Sequence, residues 1–271
     1  MTALCEEVGM SRQNFYKAKK RRKRKEVDEE LIVEAVKQVR KRHPKMGTKK
    51  LLRHLRAEWV EAGVDVGRDR LFDILRERNM LIERKRSVPC TTVSRHNLLT
   101  YSNLLKDNPP AAPHQAWVSD LTYIRTEEGF MYLSLITDAY SRKVVGYDIG
   151  DSLEASGCLR ALQQALEQLP SGAEPIHHSD RGTQYCCNAY VEKLQEHGAT
   201  ISMTEENHCY ENAKAERMNG ILKDEYGLGH TFRSKKDARK AAEQAIWFYN
   251  NDRPHLSLDY QMPSVVHRQA A

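Results

Sequence analysis

Residues 117–125 read Trp-Val-Ser-Asp-Leu-Thr-Tyr-Ile-Arg, a β-rich segment with an aspartate, Asp120, in its interior. Two more β-rich segments follow at 130–137 and 143–149, each reached through a short connection that contains turn residues. Such spacing predicts a three-stranded antiparallel meander.

The chain beyond the meander alternates helical and strand patterns. Helices are predicted at 154–169, 189–197, 212–225 and 235–250, and short strands at 175–179 and 200–203. Three strands followed by alternating helices and strands define an α/β domain with a five-stranded mixed sheet and flanking helices.

Three acidic residues occupy positions that a solvated surface does not explain. Asp120 lies among apolar residues of the first strand, and Asp180 directly follows the fourth. Glu216 lies on the helix 212–225, with other polar residues on its own face. Buried carboxylates close to one another are costly unless a cation neutralises them, and hard divalent cations take oxygen ligands. The three acids therefore predict a two-metal phosphoryl-transfer site.

Three sequence blocks around these acids resemble the signature blocks of retroviral-type integrase cores. They are Trp-Val-Ser-Asp-Leu-Thr-Tyr-Ile at 117–124, His-Ser-Asp-Arg-Gly-Thr-Gln-Tyr at 178–185, and Glu-Asn-Ala-Lys-Ala-Glu at 211–216. In detail they resemble bacterial insertion-sequence transposases of the IS-three family, namely the integrase-like product of the second reading frame. Thirty-five residues lie between Asp180 and Glu216, and Lys223 follows Glu216 by seven residues, both as in that family. The tail at 249–258 and the segment 44–51 resemble further blocks of the family.

The resemblance implies a ribonuclease-H-like integrase core and a DNA transposase. Asp120, Asp180 and Glu216 would be its catalytic residues and the ligands of two Mg²⁺ ions, for which Mn²⁺ would substitute. The enzyme would cut DNA at the ends of the element and transfer the freed strand, without a covalent protein–DNA intermediate. The implied partners are double-stranded DNA, further copies of the chain in a multimer, and an upstream-frame product, separate or fused. The implied location is the bacterial cytoplasm, at the nucleoid.

Basic and polar residues in two regions are candidates for DNA contact. Close to the acids these are Lys223, Asn212, His178 and Arg181, and in the N-terminal region they are Lys19, Lys20, Arg21, Arg22, Arg68 and Arg70. The alternative for Lys223 is an ordinary surface lysine, and the alternative for His178 is a loop histidine whose hydrogen bonds are satisfied within the protein.

The N-terminal third is predicted to be helical and basic. Residues 1–25 match helix-turn-helix spacing, with Gly9 at the turn and Ser11 as the cap of the second helix. Eight of the nine residues 17–25 are basic, as in an arm that contacts phosphates. Residues 26–86 carry three further helical patterns, the second capped by Thr48 and the third rich in arginine.

The predicted organisation is therefore a helix-turn-helix-like segment with a basic arm (1–25), a small helical DNA-binding subdomain (26–86), a linker (87–113) and an integrase catalytic core with a C-terminal helix (114–271). The alternatives are an ordinary helical hairpin for the first segment, a solvated linker for the basic run, and a plain three-helix linker domain for the second segment.

Charge is distributed unevenly along the chain. Residues 1–106 contain 27 Lys+Arg and 14 Asp+Glu, whereas residues 107–271 contain 16 and 23. A basic half suits a polyanion, and an acidic half suits a metal-dependent site. The sequence has no apolar run of about 18 residues and no secretory signal, and six scattered cysteines suit a reducing compartment. These features disfavour membrane-spanning and secreted proteins.

Two other functions are alternatives to a transposase. A non-catalytic DNA-binding protein would keep the helical N-terminal region, but the intact acids at all three positions argue against it. A different ribonuclease-H-like nuclease would share the sheet and would hydrolyse nucleic acid without joining strands. The spacing of Lys223 and the tail block argue against that nuclease.

Overall fold

The computed structural model of the 271-residue chain describes residues 11–82, 98–106, 109–205 and 212–269. The chain divides into two compact units, Met1–Arg84 and Lys85–Ala271, each with a hydrophobic core of its own. In the described segments, no helix is both long enough and apolar enough to cross a membrane.

The first unit contains three helices. They are α1 (Arg12–Arg42), α2 (Thr48–Glu61) and α3 (Arg68–Glu77). Ser11 caps α1 as predicted, because its Oγ accepts a hydrogen bond from the backbone N–H of Asn14 at 3.2 Å. Val36 from α1, Leu51 from α2 and Leu71 from α3 are completely buried and form the centre of the core.

Two details of this unit differ from the sequence predictions. The basic run 17–25 lies inside α1, which passes without a break through residue 25, where the sequence analysis divided the arm from the helical subdomain. Lys and Arg favour helix, and no Gly or Pro interrupts residues 12–42, so nothing ends the helix there. Thr48 is the first residue of α2 and not its cap. Gly47 is the N-cap residue, so no side chain caps this helix. Residues 1–10, with the first half of the predicted helix-turn-helix motif, lie outside the described residues.

The second unit is built on a mixed β-sheet. Its strands are β1 (Ala116–Thr126), β2 (Gly129–Asp138), β3 (Val144–Gly150), β4 (Ile176–Ser179), β5 (Thr200–Met203) and β6 (Thr231–Phe232). The order is β3-β2-β1-β4-β5, with the meander antiparallel and β1, β4 and β5 parallel. The predicted five strands are confirmed. A sixth strand of two residues, β6, pairs with β1 and was too short to show a pattern in the sequence.

Helices cover both faces of this sheet. They are α4 (Ala155–Glu167), α5 (Thr183–Cys186), α6 (Asn188–Glu196), α7 (Ala213–Glu225), α8 (Lys235–Asn251) and α9 (Pro263–Gln269). On one face Trp117 and Ile136 pack with α4 and α6, and on the other Ile124 and Leu133 pack with α7 and α8. Side chains alternate between the faces of a strand, which explains why both faces carry a core.

Part of the predicted linker belongs to the second unit. Residues 98–106 are described, and the backbone N–H of Leu104 donates to Ser202 Oγ in β5 at 2.9 Å. The N–H of Asn103 donates to Glu205 Oε1, also at 2.9 Å. This stretch therefore packs along the edge strand, whereas residues 87–97 of the linker lie outside the described residues.

A glycine permits the close packing of α4 on the sheet. A Cβ on Gly146 in β3 would overlap the backbone carbonyl oxygen of Ala161 in α4. We expect Gly146→Ala to lower the free energy of unfolding by about 3 kcal/mol, because backbone rather than a flexible side chain must move. Urea denaturation would measure the change. The control is Gly220→Ala in α7, where a Cβ meets nothing within 4 Å and stability should rise by roughly 0.5 to 1 kcal/mol.

Candidate active site

The sheet brings Asp120 and Asp180 to the same place. Strands β1 and β4 are parallel neighbours, and Val118 pairs with His178. Two residues beyond that pair lie Asp120, within β1, and Asp180, just after β4 ends at Ser179. The two aspartates therefore lie at the carboxyl end of β4, the edge at which α/β sheets place their ligands.

Two asparagines on α7 and at its start bring Glu216 to these aspartates. Asn212 Nδ2 donates to the carbonyl oxygen of Ser119 at 3.1 Å, and Asn219 Nδ2 donates to Asp120 Oδ2 at 2.6 Å. Residues four before and three after a given position lie on its own helix face. Glu216 therefore lies on the face of α7 that is turned toward β1, within electrostatic reach of Asp120.

The three carboxylates perturb one another electrostatically. Burial raises the pKa of Asp120 to about 7, and the charge of Asp180 adds to this effect. Glu216 raises it further, while the hydrogen bonds from Asn219 and from the N–H of Leu121 lower it. Burial, and then the charge of Asp180, also raise the pKa of Glu216. Two carboxylates with raised pKa values beside a third carboxylate mark a site suited to a cation.

This raised pKa predicts how the stability of the metal-free protein depends on pH. The unfolded-state pKa of an Asp is near 3.9, so between about pH 4 and pH 7 the folded state binds more protons at Asp120 and stability falls as pH rises. We expect Asp120→Asn to make this fall shallower, so that its stability relative to wild type is greater at pH 8 than at pH 5. Urea denaturation in EDTA at both pH values would measure it. A difference between the proteins that does not change with pH would contradict the burial of this charge.

The donors around the acids suit a hard divalent cation. In the described part of the chain, no three His, Cys, Asp or Glu side chains already stand together as a metal cluster, so the carboxylates are near one another but wider apart than a ligand set. Asp180 Oδ1 is fixed by the N–H of Gly182 at 3.0 Å. The Oδ1 of Asn219 is buried with no hydrogen-bond partner among the described residues, which adds another oxygen beside Asp120. An all-oxygen set is what Mg²⁺ prefers.

Two of the predicted DNA-contact residues are buried. His178 is fully buried, and its Nδ1 lies 2.8 Å from Ser202 Oγ. Asn212 is 3% exposed and is committed to Ser119. Their burial disfavours a direct contact of either side chain with DNA: His178 lies against Ser202 of β5, and Asn212 ties α7 to β1.

The other candidates near the acids are accessible. Lys223 is half-buried, and its Nζ lies 4.5 Å from the centre of the exposed Tyr123 ring, a cation–π contact. Arg181 is half-buried, and its Nε donates to the carbonyl oxygen of Thr204 at 2.6 Å. Both residues stay predictions for DNA contact.

The N-terminal candidates lie on two helices of the first unit. Lys19, Lys20 and Arg22 are exposed on α1, where Arg21 also lies. Arg68 is exposed and hydrogen-bonded to the neighbouring Asp69. Arg70 forms an ion pair with Glu29 of α1, so its charge is partly used within the unit. Of the two arginines, Arg68 keeps more of its side chain available to a phosphate.

One residue of the site is absent from the sequence prediction. Asn219 makes a 2.6 Å hydrogen bond to Asp120, yet the sequence marks it only as a neighbour of Glu216 on the same helix face. Its position three residues after Glu216 was the available signal. That its amide donates to Asp120 could not be inferred from the sequence, because the contact depends on how α7 packs against β1.

Comparison with known families and structures identifies the kind of core. The family described as "Integrase core domain" matches residues 110–209 and again 197–263. A simian T-cell lymphotropic virus intasome, solved in complex with PP2A regulatory subunit B56 gamma, has a TM-score of 0.50. That likeness, at 16% identity over 82% of this chain and 70% of the other, concerns the fold. Fold and family define a polynucleotidyl transferase with a ribonuclease-H-like integrase core.

Three relatives come from insertion elements. The "Insertion element IS600 uncharacterized 31 kDa protein" of Shigella sonnei is 36% identical over 99% of this chain and 100% of its own. The "Transposase for insertion sequence element IS629" of Shigella sonnei is 30% identical over 96% and 89%. Transposase InsF for IS3A of Escherichia coli K12 is 34% identical over 67% and 64%. The chain belongs to the insertion-sequence transposases of the IS3 family, enzymes of DNA transposition with an integrase-like core.

Proposed function

We propose that Asp120, Asp180 and Glu216 are the catalytic residues and hold two Mg²⁺ ions. At this one site the protein would cut the DNA ends of its insertion sequence and transfer the freed strands. The observation that carries the proposal is the proximity of the three acids: Asp120 and Asp180 lie on adjacent parallel strands, in β1 and just after β4, and Glu216 lies on the face of α7 tied to β1.

Asp120, Asp180 and Glu216 would hold the ions, which would supply Lewis-acid activation of the oxygen nucleophile, a water for cleavage and the freed 3′-OH for strand transfer. Asp120 and Asp180 supply carboxylate oxygens from fixed backbone positions, and Glu216 supplies its own from the helix. Displacement of the proton from Asp120 accompanies metal binding, so metal affinity increases as pH rises through about 7. No serine or tyrosine is required as a nucleophile.

Asn219 would be a positioning residue for this chemistry. Its amide holds one oxygen of Asp120 while the N–H of Leu121 holds the other, so the carboxylate has a fixed orientation. Replacement of a group that orients a metal ligand in this way typically lowers metal affinity or activity by about 10- to 100-fold.

DNA would be held on both sides of the acids. Lys223 lies one turn beyond Asn219 on α7, where it can reach the backbone of a strand that leaves the site. Arg181 follows Asp180 directly. The exposed cations Lys19, Lys20 and Arg22 of α1, with Arg21, would bind phosphates elsewhere on the same DNA. Two DNA ends must meet for transposition, so we also propose a multimer, with an upstream-frame product as a further partner.

A plasmid assay tests this function. The protein is incubated with supercoiled DNA that carries the sequence flanking its own gene, with Mg²⁺, Mn²⁺ or EDTA. Joined strands or excised circles should form with either cation and not in EDTA. If the DNA is nicked but not joined, even when the upstream-frame product is added, the result would favour a nuclease and contradict strand transfer.

A further inference from the structure

A basic pocket lies on the opposite side of α7 from Asp120. Its volume is about 240 Å³, and it is lined by cations from two separate elements: Arg142 from the turn after β2, and Lys214 and Arg217 from α7. Met218 and Ile221 of α7 provide an apolar floor, and Tyr249 of α8 closes one wall. All of these residues belong to the second unit.

The three cations of the basic pocket form no ion pair within the described part of the protein. Among the described residues, no carboxylate forms an ion pair with Arg142, Lys214 or Arg217. Asp138 lies near them, but its carboxylate accepts hydrogen bonds from the N–H of His114 and from the N–H and hydroxyl of Ser141. Arg142 is half-buried and Lys214 and Arg217 are exposed, so three like charges gather at one concave site, where an anion would interact favourably with all of them.

The backbone at Arg142 is held in an unusual conformation. Its φ is 64°, in the left-handed region that non-glycine residues adopt at a cost. Two backbone contacts hold it: the Tyr249 hydroxyl donates to the Arg142 carbonyl oxygen at 3.0 Å, and the Arg142 N–H donates to the Asp138 carbonyl oxygen at 2.9 Å. Burial also lowers the pKa of the Arg142 guanidinium. A strained, half-buried arginine facing a pocket is typical of a ligand clamp.

Lys214 places a positive charge in the first turn of α7, where helices usually carry negative charge. It is the second residue of α7, where the helix dipole is positive and an acidic side chain is favoured. A cation there is unfavourable by itself, whereas an anion in the basic pocket would interact with Lys214, Arg217 and the dipole together.

We propose that the basic pocket binds a phosphodiester group of the DNA strand that occupies the active site, near the position of the cut. The inference rests on the proposed function, because it names where the DNA of that site is held. Lys214 precedes Glu216 by two residues and Arg217 follows it by one, so the pocket lies at the level of the acids along the axis of α7. A strand that passes around the start of this helix can therefore reach both the acids and the pocket. The tail segment 249–258 gains a role, since Tyr249, His255 and Ser257 complete the lining.

The test is a scan with neutral phosphates. Duplexes of the element end, each with one methylphosphonate, are titrated against the full chain in EDTA by fluorescence anisotropy. For the wild type we expect a loss of roughly three- to tenfold in affinity at one or two adjacent phosphates near the cut. The Lys214→Gln/Arg217→Gln variant should bind all duplexes more weakly, show no further loss at those phosphates, and have a salt slope lower by about 1.

A matched control separates this contact from general charge. Arg239→Gln/Lys240→Gln removes the same charge from exposed positions of α8 outside the pocket and should keep the positional losses of the wild type. The same positional losses in the Lys214→Gln/Arg217→Gln variant would overturn the proposal. A second outcome would also overturn it. If no position in the scan is sensitive, and inorganic phosphate stabilises the wild type against heat but not the Lys214→Gln/Arg217→Gln variant, the pocket binds a small anion instead of DNA. The assay needs no catalysis, so a failure of strand transfer leaves its result standing.

Discussion

Asp180→Asn is expected to lose strand cleavage and strand transfer by a factor on the order of a thousand or more, and Asp120→Asn and Glu216→Gln should behave alike. The reason is that each change removes an anionic oxygen from a site that three carboxylates share. Product formation from the element-end plasmid with Mg²⁺ measures the loss. Affinity for the DNA end, measured by anisotropy, should stay within a few-fold of the wild type.

A neighbouring carboxylate supplies the control for this prediction. Asp148→Asn in β3 removes a largely buried acid that pairs with the exposed Arg160 and has no part in the proposed chemistry. It should cut and join DNA at close to the wild-type rate. Wild-type cleavage by any of the three site variants would remove that residue from the catalytic set.

Arg253→Ala is expected to have the largest effect on stability, a loss of about 3 to 5 kcal/mol in the free energy of unfolding of the second unit. Arg253 is 2% exposed and binds Glu225 at the end of α7 through two hydrogen bonds of 2.8 Å. Its guanidinium also lies 5.6 Å from the centre of the Tyr249 ring. Removal of the arginine leaves the carboxylate of Glu225 largely buried without this partner. Urea denaturation followed by tryptophan fluorescence would report the change.

The pair of Arg160 and Asp148 provides a comparison in which the arginine is exposed, while the carboxylate, at 16% exposed, is about as buried as Glu225 at 18%. It has the same two-hydrogen-bond geometry, also at 2.8 Å, but the Arg160 side chain is 56% exposed. Arg160→Ala should cost less than about 1 kcal/mol, because water can reach Asp148 once an already exposed arginine is removed. Equal costs for the two arginine variants would mean that burial does not determine the strength of these pairs.

The spacing of the acids and the pattern of β-rich segments were enough to predict the integrase-like core domain. Asp120 stands inside a strand, Asp180 follows one, and Glu216 lies on a helix, and in the structure each of the three acids stands in the element that was predicted for it. All five predicted strands are present in the sheet of the structure. The two-residue β6 carries too few residues for any periodicity to be recognised.

The directions of individual side chains could not be predicted in the same way. His178 and Asn212 stand beside the acids in sequence, yet both are buried, because strand alternation and helix phase point them into the protein. The basic pocket was missed for a related reason: Arg142 lies 72 residues before Lys214, and only the packing of α7 on the sheet brings them together. Charge proximity across elements is a property of the fold and leaves no local pattern.

The strand-transfer activity of Asp180→Cys in Mg²⁺ and in Mn²⁺ tests the central claim most directly. A thiolate is a poor ligand for the hard Mg²⁺ and a better one for the softer Mn²⁺. If Asp180 binds the metal, the variant should be inactive in Mg²⁺ and recover activity in Mn²⁺, while Asp180→Ser remains inactive in both. Wild-type activity of Asp180→Cys in Mg²⁺ would contradict the assignment of Asp180 as a metal ligand, and with it the proposed three-carboxylate site.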